Sequence, residues 1–281
     1  MQKALKKYFA FFALPTLLAF VISFVIPFLM GIYLSFTKFK TVTDAKWIGF
    51  DNYIQAFTAN KEFINSLWFT FRFTVVSVIF INLFAFLLAL LLTRSLRGTN
   101  VFRTIFFIPN LIGGIVLGYI WQLIINGVLY FFDVTITTDP NYGFWGLIVL
   151  MNWQLIGYMM VIYIAGIQNI SGDLMDAAAV DGASKGQILR HITIPLVMPS
   201  VTICTFLTLT NSFKLFDQNL ALTAGAPSRN TEMLALNIYN TFYGRVGYEG
   251  VGQAKAVVFF IMVAAIAFIQ LYLTRKREVE N

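Results

Sequence analysis

Long apolar segments alternate with short polar ones along the whole chain. A helix needs about 20 consecutive apolar residues to cross the hydrocarbon core of a bilayer. Six segments meet this requirement: Phe9–Phe36, Leu67–Thr93, Thr104–Ile125, Phe144–Gln168, Leu196–Phe216 and Ala256–Thr274. Their apolar residues are continuous and lack the alternation of barrel strands, which leaves helices as the spanning elements. The pattern therefore predicts an all-α, polytopic membrane helix bundle with six transmembrane helices in a single domain, residues 1–281.

The composition supports a membrane location. The chain is 58% hydrophobic and only 12% charged, whereas a soluble domain carries about 25% charged residues. The net charge is +7, but the basic residues lie at the ends of the apolar segments, so no nucleic-acid partner is expected. The first apolar segment is far longer than the roughly 7–15-residue core of a cleaved signal peptide, and we interpret it as a retained span.

Basic residues are distributed unevenly between the two sets of loops. One set holds eleven: Lys3, Lys6, Lys7, Arg94, Arg97, Arg103, Lys185, Arg190, Arg275, Lys276 and Arg277. The other set, spread over longer loops, holds seven: Lys38, Lys40, Lys46, Lys61, Arg229, Arg245 and Lys255. Because cytoplasmic loops are enriched in Lys and Arg, both termini are predicted to lie in the cytoplasm. The loop 169–195 is then cytoplasmic as well.

That loop contains the stretch DAAAVDGASKGQILRHITIP, residues 176 to 195. Asp173 is predicted to cap a short Ala-rich helix, and Gly182 suits the left-handed residue that closes it. Ser184 is predicted to cap a second helix that runs through Thr193, and Pro195 to mark the break before the next span.

Two interpretations of this loop follow from the residues alone. Ala177, Ala178 and Ala179 have almost no side chain, so another surface can approach the backbone closely, and Asp176 offers a directional acceptor. The loop is then a docking element. The same loop sequence is equally typical of an amphipathic connector that lies on the membrane surface.

The stretch resembles the EAA loop of permease subunits in ABC importers. The pattern of that loop is Glu-Ala-Ala, three residues, Gly, nine residues, Ile, one residue and Leu-Pro. The residues at these spacings here are Asp176, Ala177, Ala178, Gly182, Ile192 and Pro195. Asp176 replaces Glu, which shortens the reach by one methylene, and Ile194 replaces Leu. Asp181-Gly182-Ala183 matches the sugar-permease version of the loop.

The resemblance extends over nearly the whole chain. WIGFDNYIQAF (47 to 57), FRTIFFIPN (102 to 110), YIWQLI (119 to 124) and FDQNLALTAGAP (216 to 227) are similar to carbohydrate-uptake permeases of the type that includes the larger permease of the maltose system. The resemblance implies the type I ABC importer permease fold in a prokaryotic plasma or inner membrane. It implies that the chain translocates a carbohydrate, which we expect to be an oligosaccharide.

The resemblance also implies partners and a coupling site. The partners are a second permease subunit in a heterodimer, two copies of a cytoplasmic ABC ATPase, and an extracytoplasmic solute-binding protein. The loop 169–195, called the coupling loop below, would dock into a cleft of the ATPase. Its implied coupling residues are Asp176, Ala177, Ala178, Asp181, Gly182, Ala183, Ile192 and Pro195.

The sequence carries no catalytic motif. A phosphate-binding loop needs G-x-x-x-x-G-K-[ST], and no Gly-Lys pair occurs anywhere in the chain. We find no metal-ligand cluster and no nucleophile with an adjacent base. The chain is thus predicted to be a non-catalytic subunit without a cofactor of its own, and ATP and Mg²⁺ would bind to the partner ATPase.

Polar residues inside the spans are the candidates for a substrate path. They are Asn152, Gln154, Tyr158, Thr208, Asn211, Lys214 and Asp217. Sugars are held by hydrogen bonds and aromatic faces, and these residues offer both. The alternative is that they join helices, at about 0.6 kcal/mol per hydrogen bond. We further expect Arg72 or Lys214 to neutralise Asp217; the alternative is that these charged side chains extend to the membrane interface.

Two other functional classes fit the sequence less well. A secondary transporter or channel for a small polar solute needs no ATPase-docking loop, and many such folds contain an inverted repeat, which we do not find. A membrane enzyme needs clustered catalytic groups at one membrane face, but the carboxylates here are dispersed. The prediction is an ATP-driven importer permease.

Overall fold

The computed structural model describes residues 2–59, 61–94 and 97–275, which are mostly helical. The helices are α1 (Gln2–Phe20), α2 (Ile26–Leu34), α3 (Asp51–Thr58), α4 (Glu62–Leu92), α5 (Thr99–Phe107), α6 (Gly114–Leu129), α7 (Pro140–Gln168), α8 (Gly172–Val180), α9 (Lys185–Ile188), α10 (Ile194–Leu196), α11 (Met198–Phe213), α12 (Asp217–Leu222), α13 (Leu234–Gly244) and α14 (Glu249–Arg275). An antiparallel hairpin pairs β1 (Thr37–Lys38) with β2 (Lys46–Trp47). Lys276 and Arg277, two of the basic residues that predict the orientation, lie outside the described residues.

Within the described residues, five helical segments are long and apolar enough to cross a membrane: Ala13–Leu34, Glu62–Leu92, Gly114–Phe132, Pro140–Gln168 and Glu249–Thr274. Lys185–Leu196 and Met198–Phe213 together are also long and apolar enough, but the two helices are bent by 65°, and they count as a sixth span only when taken as one segment. The all-α membrane bundle is confirmed. Several helices begin before their apolar segment does; α7, for example, begins at Pro140 because the Asp139 side chain accepts the Asn141 N–H at 2.7 Å.

The third predicted span, Thr104–Ile125, differs from the observed helices. Helix α5 ends at Phe107, and Ile108–Leu111 forms a 3₁₀ turn before α6 begins at Gly114. Pro109 has no N–H for a regular helical hydrogen bond, and Gly113 is extended at φ −60° and ψ 140°. The continuous span is therefore Gly114–Phe132, displaced toward the C-terminus of the prediction.

The fifth predicted span, Leu196–Phe216, also begins differently. Pro195 lies inside α10 and does not end it; the helix breaks at Val197, where ψ is 0°. The helices before and after this break differ in direction by 65°. The helix is continuous from Lys185 to Leu196 and contains a π turn at Leu189–Thr193. Because a local π turn can accommodate a proline within a helix, Pro195 does not mark the break.

The described residues fall into two compact units, one formed by 1–61 with 238–261 and the other by 62–237 with 262–281. The hydrophobic core of the second unit surrounds α7, where Leu147, Met159 and Tyr163 are buried. The Tyr163 hydroxyl donates to Asn82 Oδ1 at 2.8 Å, so this buried polar group is paired. Helix α4 packs closely on α7 and carries buried alanines at positions 85 and 89.

In the first unit, the hairpin follows α2 directly. Between its strands, Asp44 accepts the backbone N–H groups of Thr41 and Lys40, both at 2.9 Å. These hydrogen bonds favour the carboxylate and hold the pKa of Asp44 below its usual range. The connection between β1 and β2 thus has a defined conformation.

Candidate functional site

The coupling loop contains two short helices joined by a tight turn. Helix α8 ends in a Schellman motif, in which the Ala183 N–H donates to Ala178 O at 3.0 Å and the Gly182 N–H to Ala179 O at 3.1 Å. Gly182 has φ +80°, as the sequence predicts for the residue that closes the helix. This conformation favours glycine because a side chain at positive φ is strained.

The second helix, α9, begins with a capping box. The Ser184 N–H donates to Gln187 Oε1 at 2.7 Å, and the Gln187 N–H donates to Ser184 Oγ at 3.4 Å. The predicted Ser184 cap is confirmed. The predicted Asp173 cap is wrong, because α8 begins at Gly172 after Ser171 and Asp173 lies within its first turn.

Helices α8 and α9 are mostly exposed, with no buried residue in either. Val180 is 88% exposed, and Asp176 and Ala177 are exposed as well. The C-terminal end of the loop is anchored instead, since Thr193 and Val197 are buried. The loop therefore presents a locally ordered, partly apolar surface that the rest of the described chain does not cover.

A cavity of about 410 Å³ lies near the C-terminal end of α11. Its lining residues are Asn110, Met151, Gln154, Leu155, Asn211, Lys214, Leu215, Phe216, Asp217 and Gln218. Inside it, Gln218 Nε2 donates to Gln154 Oε1 at 2.8 Å, and Gln154 Nε2 donates to Ile112 O at 3.4 Å. Amide groups both donate and accept hydrogen bonds, so the cavity wall matches a ligand rich in hydroxyl groups.

Four of the predicted path residues line this cavity: Gln154, Asn211, Lys214 and Asp217. The other three do not. Asn152 Nδ2 donates to Ile148 O in its own helix at 2.7 Å, the Tyr158 ring contacts that of Phe107 with the ring centres 6.3 Å apart, and Thr208 is fully buried.

Gln218 is a cavity residue that was not among the predicted site residues, although it follows Asp217 in the FDQN stretch. Helix α12 positions both side chains and packs on α6. A Cβ atom added at Gly118 would lie 2.6 Å from Ala221 Cβ, so the glycine permits this close approach. Gln122 Nε2 also donates to Leu222 O at 3.0 Å and ties the two helices together.

The expected neutralisation of Asp217 is wrong for the part of the chain that the structure describes, where Asp217 has no ion-pair partner. The Arg72 guanidinium lies over the Phe144 ring, 5.2 Å from its centre. Lys214 and Asp217 are both exposed and line the cavity. Spacing on one helix does not ensure a pair here, because α11 ends at Phe213 and Asp217 begins α12.

Comparison with known proteins decides the family. The profile of the "Binding-protein-dependent transport system inner membrane component" family matches residues 85–279. The chain belongs to this family. The probable starch degradation products transport permease AmyD of Thermoanaerobacterium thermosulfurigenes is 46% identical over 96% of this chain and 94% of its own length. The trehalose/maltose transport permease MalF of Thermococcus litoralis is 27% identical over 94% and 92%.

A solved structure shares the fold. A chain of a bacterial ABC transporter that imports the acidic polysaccharide alginate superposes with a TM-score of 0.82 at 22% identity, covering 98% of both chains. The resemblance to an ABC importer permease is thus confirmed, which favours the importer permease over a secondary transporter or channel. The chain is a non-catalytic membrane subunit of an importer.

Proposed function

We propose that the chain moves a carbohydrate, specifically an oligosaccharide, across a prokaryotic plasma or inner membrane. An extracytoplasmic solute-binding protein delivers the sugar to a heterodimer of this chain with a second permease subunit. Two copies of an ABC ATPase, which hold ATP and Mg²⁺, drive the transport. The names of the relatives support the cargo: one concerns starch degradation products and another trehalose and maltose.

The observation that carries the proposal is the exposed, doubly capped coupling loop. A Schellman motif and a capping box fix two helices in which no residue is fully buried within the described chain. Ordering such a segment costs conformational entropy, and a docking partner offsets this cost. We place the loop and both termini in the cytoplasm and assign contact with the ATPase to the Asp176–Ala178 stretch.

The cavity is the proposed contact region for the sugar. Its four amide side chains are Asn110, Gln154, Asn211 and Gln218, and it contains one cation and one anion, Lys214 and Asp217. Such a wall favours a neutral, hydroxyl-rich ligand, because amides satisfy donors and acceptors alike. Sugar contact by Asn152, Tyr158 and Thr208 remains a prediction and requires a different section of the path.

The proposed mechanism is alternating access. Closure of the two ATPase subunits on ATP draws the coupling loops together, and the helix bundle opens toward the binding protein. Hydrolysis then restores the inward-facing state. A shift between the two states requires a contact that differs between them. In this chain the coupling loop makes that contact with the ATPase, and the helices transmit the ATPase movement to the transport path.

The test is uptake by the complete complex in proteoliposomes. Radiolabelled maltooligosaccharides are supplied with the binding protein, with ATP or with ADP inside. We expect accumulation only with ATP and the loaded binding protein. Equal uptake with ADP would contradict ATP coupling, and ATP-dependent uptake of a non-carbohydrate solute alone would contradict the cargo.

A further inference from the structure

An aromatic cluster surrounds the hairpin that follows α2. The Phe36 ring is its centre, with ring-centre distances of 5.3 Å to Trp47, 5.3 Å to Phe50 and 5.2 Å to Tyr53. Tyr33 extends the cluster, 6.0 Å from Trp47. Trp47 is 63% exposed and Phe50 is 67% exposed, so two large apolar rings lie on the surface of this unit.

Helix α3 continues the same surface and has three distinct sides. At about 100° per residue, Asn52 and Ala56 share one side, and both are buried. Asp51, Gln55 and Thr58 share a second, exposed polar side. The third side is apolar and exposed, and it consists of Phe50, Ile54 and Phe57.

The buried side fixes the orientation of the helix. Asn52 Nδ2 donates to Ser35 O at 2.9 Å and to Thr37 O at 2.8 Å, which ties α3 to the chain just after α2. The Tyr53 hydroxyl is hydrogen-bonded to Ser35 Oγ at 2.6 Å. The apolar side of α3 therefore points away from its own unit in a defined direction.

The apolar side is continuous with a membrane-spanning surface. Helix α2 is part of the span Ala13–Leu34, and its exposed residues include Ile26, Leu29 and Tyr33. Tyr33 lies in the last turn of α2 and contacts Trp47, which stacks on Phe36 beside Phe50. A chain of ring contacts thus leads from Tyr33 at the end of the span, through Trp47 and the half-buried Phe36, to Phe50 at the start of α3.

Exposed cations flank this surface. Lys38, Lys40 and Lys46 lie on the hairpin, and Lys61 follows α3. Trp and Tyr are enriched where a bilayer meets water. Helices with one apolar and one polar side, flanked by Lys, lie in that interfacial layer.

We propose that α3 docks in the interfacial layer of the bilayer, on the side of the membrane where α2 ends. Phe50, Ile54 and Phe57 enter the boundary between headgroups and acyl chains, while Gln55 faces water. Trp47 and Tyr33 lie at headgroup level, and the flanking lysines meet lipid phosphates. The helix then anchors the end of the first span at a fixed depth.

The test is spin labelling of the reconstituted importer complex, with α3 probed on two sides. Cys204 is the single cysteine of the chain and is replaced by alanine. Ile54→Cys then reports the apolar side, and Gln55→Cys is the matched control on the polar side. Both positions are exposed, so labelling does not disturb the core. Power saturation compares collisions with oxygen, which partitions into lipid, and with a water-soluble nickel chelate.

We expect oxygen to dominate at position 54 and the nickel chelate to dominate at position 55. Dominant nickel collisions at both positions would overturn the proposal. A second result would also overturn it: the chelate reaches the label at position 54 at first, and adding the sugar-loaded binding protein blocks that access. This result would make the surface a protein-docking face.

A second measurement needs no label. Subtracting the spectrum of Trp47→Phe from that of the unmodified complex isolates the emission of Trp47. Lipids brominated near the headgroup end of the acyl chain should quench this emission, and aqueous iodide should not. The reverse pattern places Trp47 in water and overturns the proposal even if the cysteine variants fold poorly.

Discussion

Gly182 is the residue at which the coupling loop turns. Its φ is +80°, and a Cβ atom added there meets nothing within 4 Å, so the cost of a side chain is purely conformational. Gly186 also has open space around its Cβ position but lies in α9 with an ordinary backbone. These two glycines of the same loop thus differ in backbone conformation, while both have open space around the Cβ position.

Gly182→Val should reduce ATP-driven uptake severalfold without lowering the amount of chain in the membrane. A β-branched residue resists the left-handed conformation at a cost of about 1–2 kcal/mol, which favours a different turn. Gly186→Val is the matched control and should retain most of the uptake. Uptake assayed in the same membranes checks this, and equal rates for the two variants would remove the role assigned to the turn.

Gln154 is the cavity residue whose contribution is simplest to isolate. Gln154→Leu removes the acceptor for Gln218 and should lower transport by about tenfold, or about 1.4 kcal/mol. Gln270→Leu is the control, because Gln270 also makes hydrogen bonds within the bundle but does not line the cavity. Initial rates at limiting sugar concentration measure the effect. Equal losses in both variants would assign Gln154 to helix packing.

Helix α6 positions α12, and two of its three glycines, Gly118 and Gly127, allow a test of that role. Gly118→Ala should displace α12, because the new methyl group would lie 2.6 Å from Ala221 Cβ. Overpacking of this kind costs about 1–3 kcal/mol. We expect a lower thermal midpoint in detergent and weaker transport, since Asp217 and Gln218 move with α12.

Gly127→Ala is the control in the same helix, because nothing lies within 4 Å of its Cβ position. It should leave the thermal midpoint unchanged or raise it slightly, since alanine is the better helix former. If Gly118→Ala behaves like Gly127→Ala in both assays, α12 does not depend on close packing against α6.

Some of these elements could be predicted from the sequence and others could not. The long spans can be predicted because an apolar segment of sufficient length must form a helix to satisfy its backbone hydrogen bonds in lipid. Gly182 and Ser184 are visible because caps are local. The break before Gly114 has a local cause in Pro109 and Gly113, but the continuous apolar segment around it conceals it. The break at Val197 and the absence of an ion pair at Asp217 among the described residues are not visible, because each depends on how neighbouring helices pack. Proline was the misleading signal, since Pro195 lies inside a helix.

At the scale of the whole molecule, the orientation of the chain can be tested with two lysines. In a Cys204→Ala background, Lys46→Cys lies on the hairpin and Lys185→Cys in the coupling loop, and both positions are exposed. The excess of basic residues in the loops that include the coupling loop predicts that the two positions lie on opposite sides of the membrane. A membrane-impermeant maleimide should label position 46 in intact cells and position 185 only after permeabilisation. The inverse pattern would contradict the proposed orientation.

The central claim is that this chain transports only as part of an ATP-driven assembly. The most direct measurement is purification of the tagged chain from its native membrane in a mild detergent, with mass spectrometry of the proteins recovered with it. We predict a second permease subunit together with an ATPase that carries a phosphate-binding loop, and depletion of that ATPase when the chain carries Gly182→Val. Recovery of the folded chain alone, from membranes in which the ATPase is present, would contradict the account.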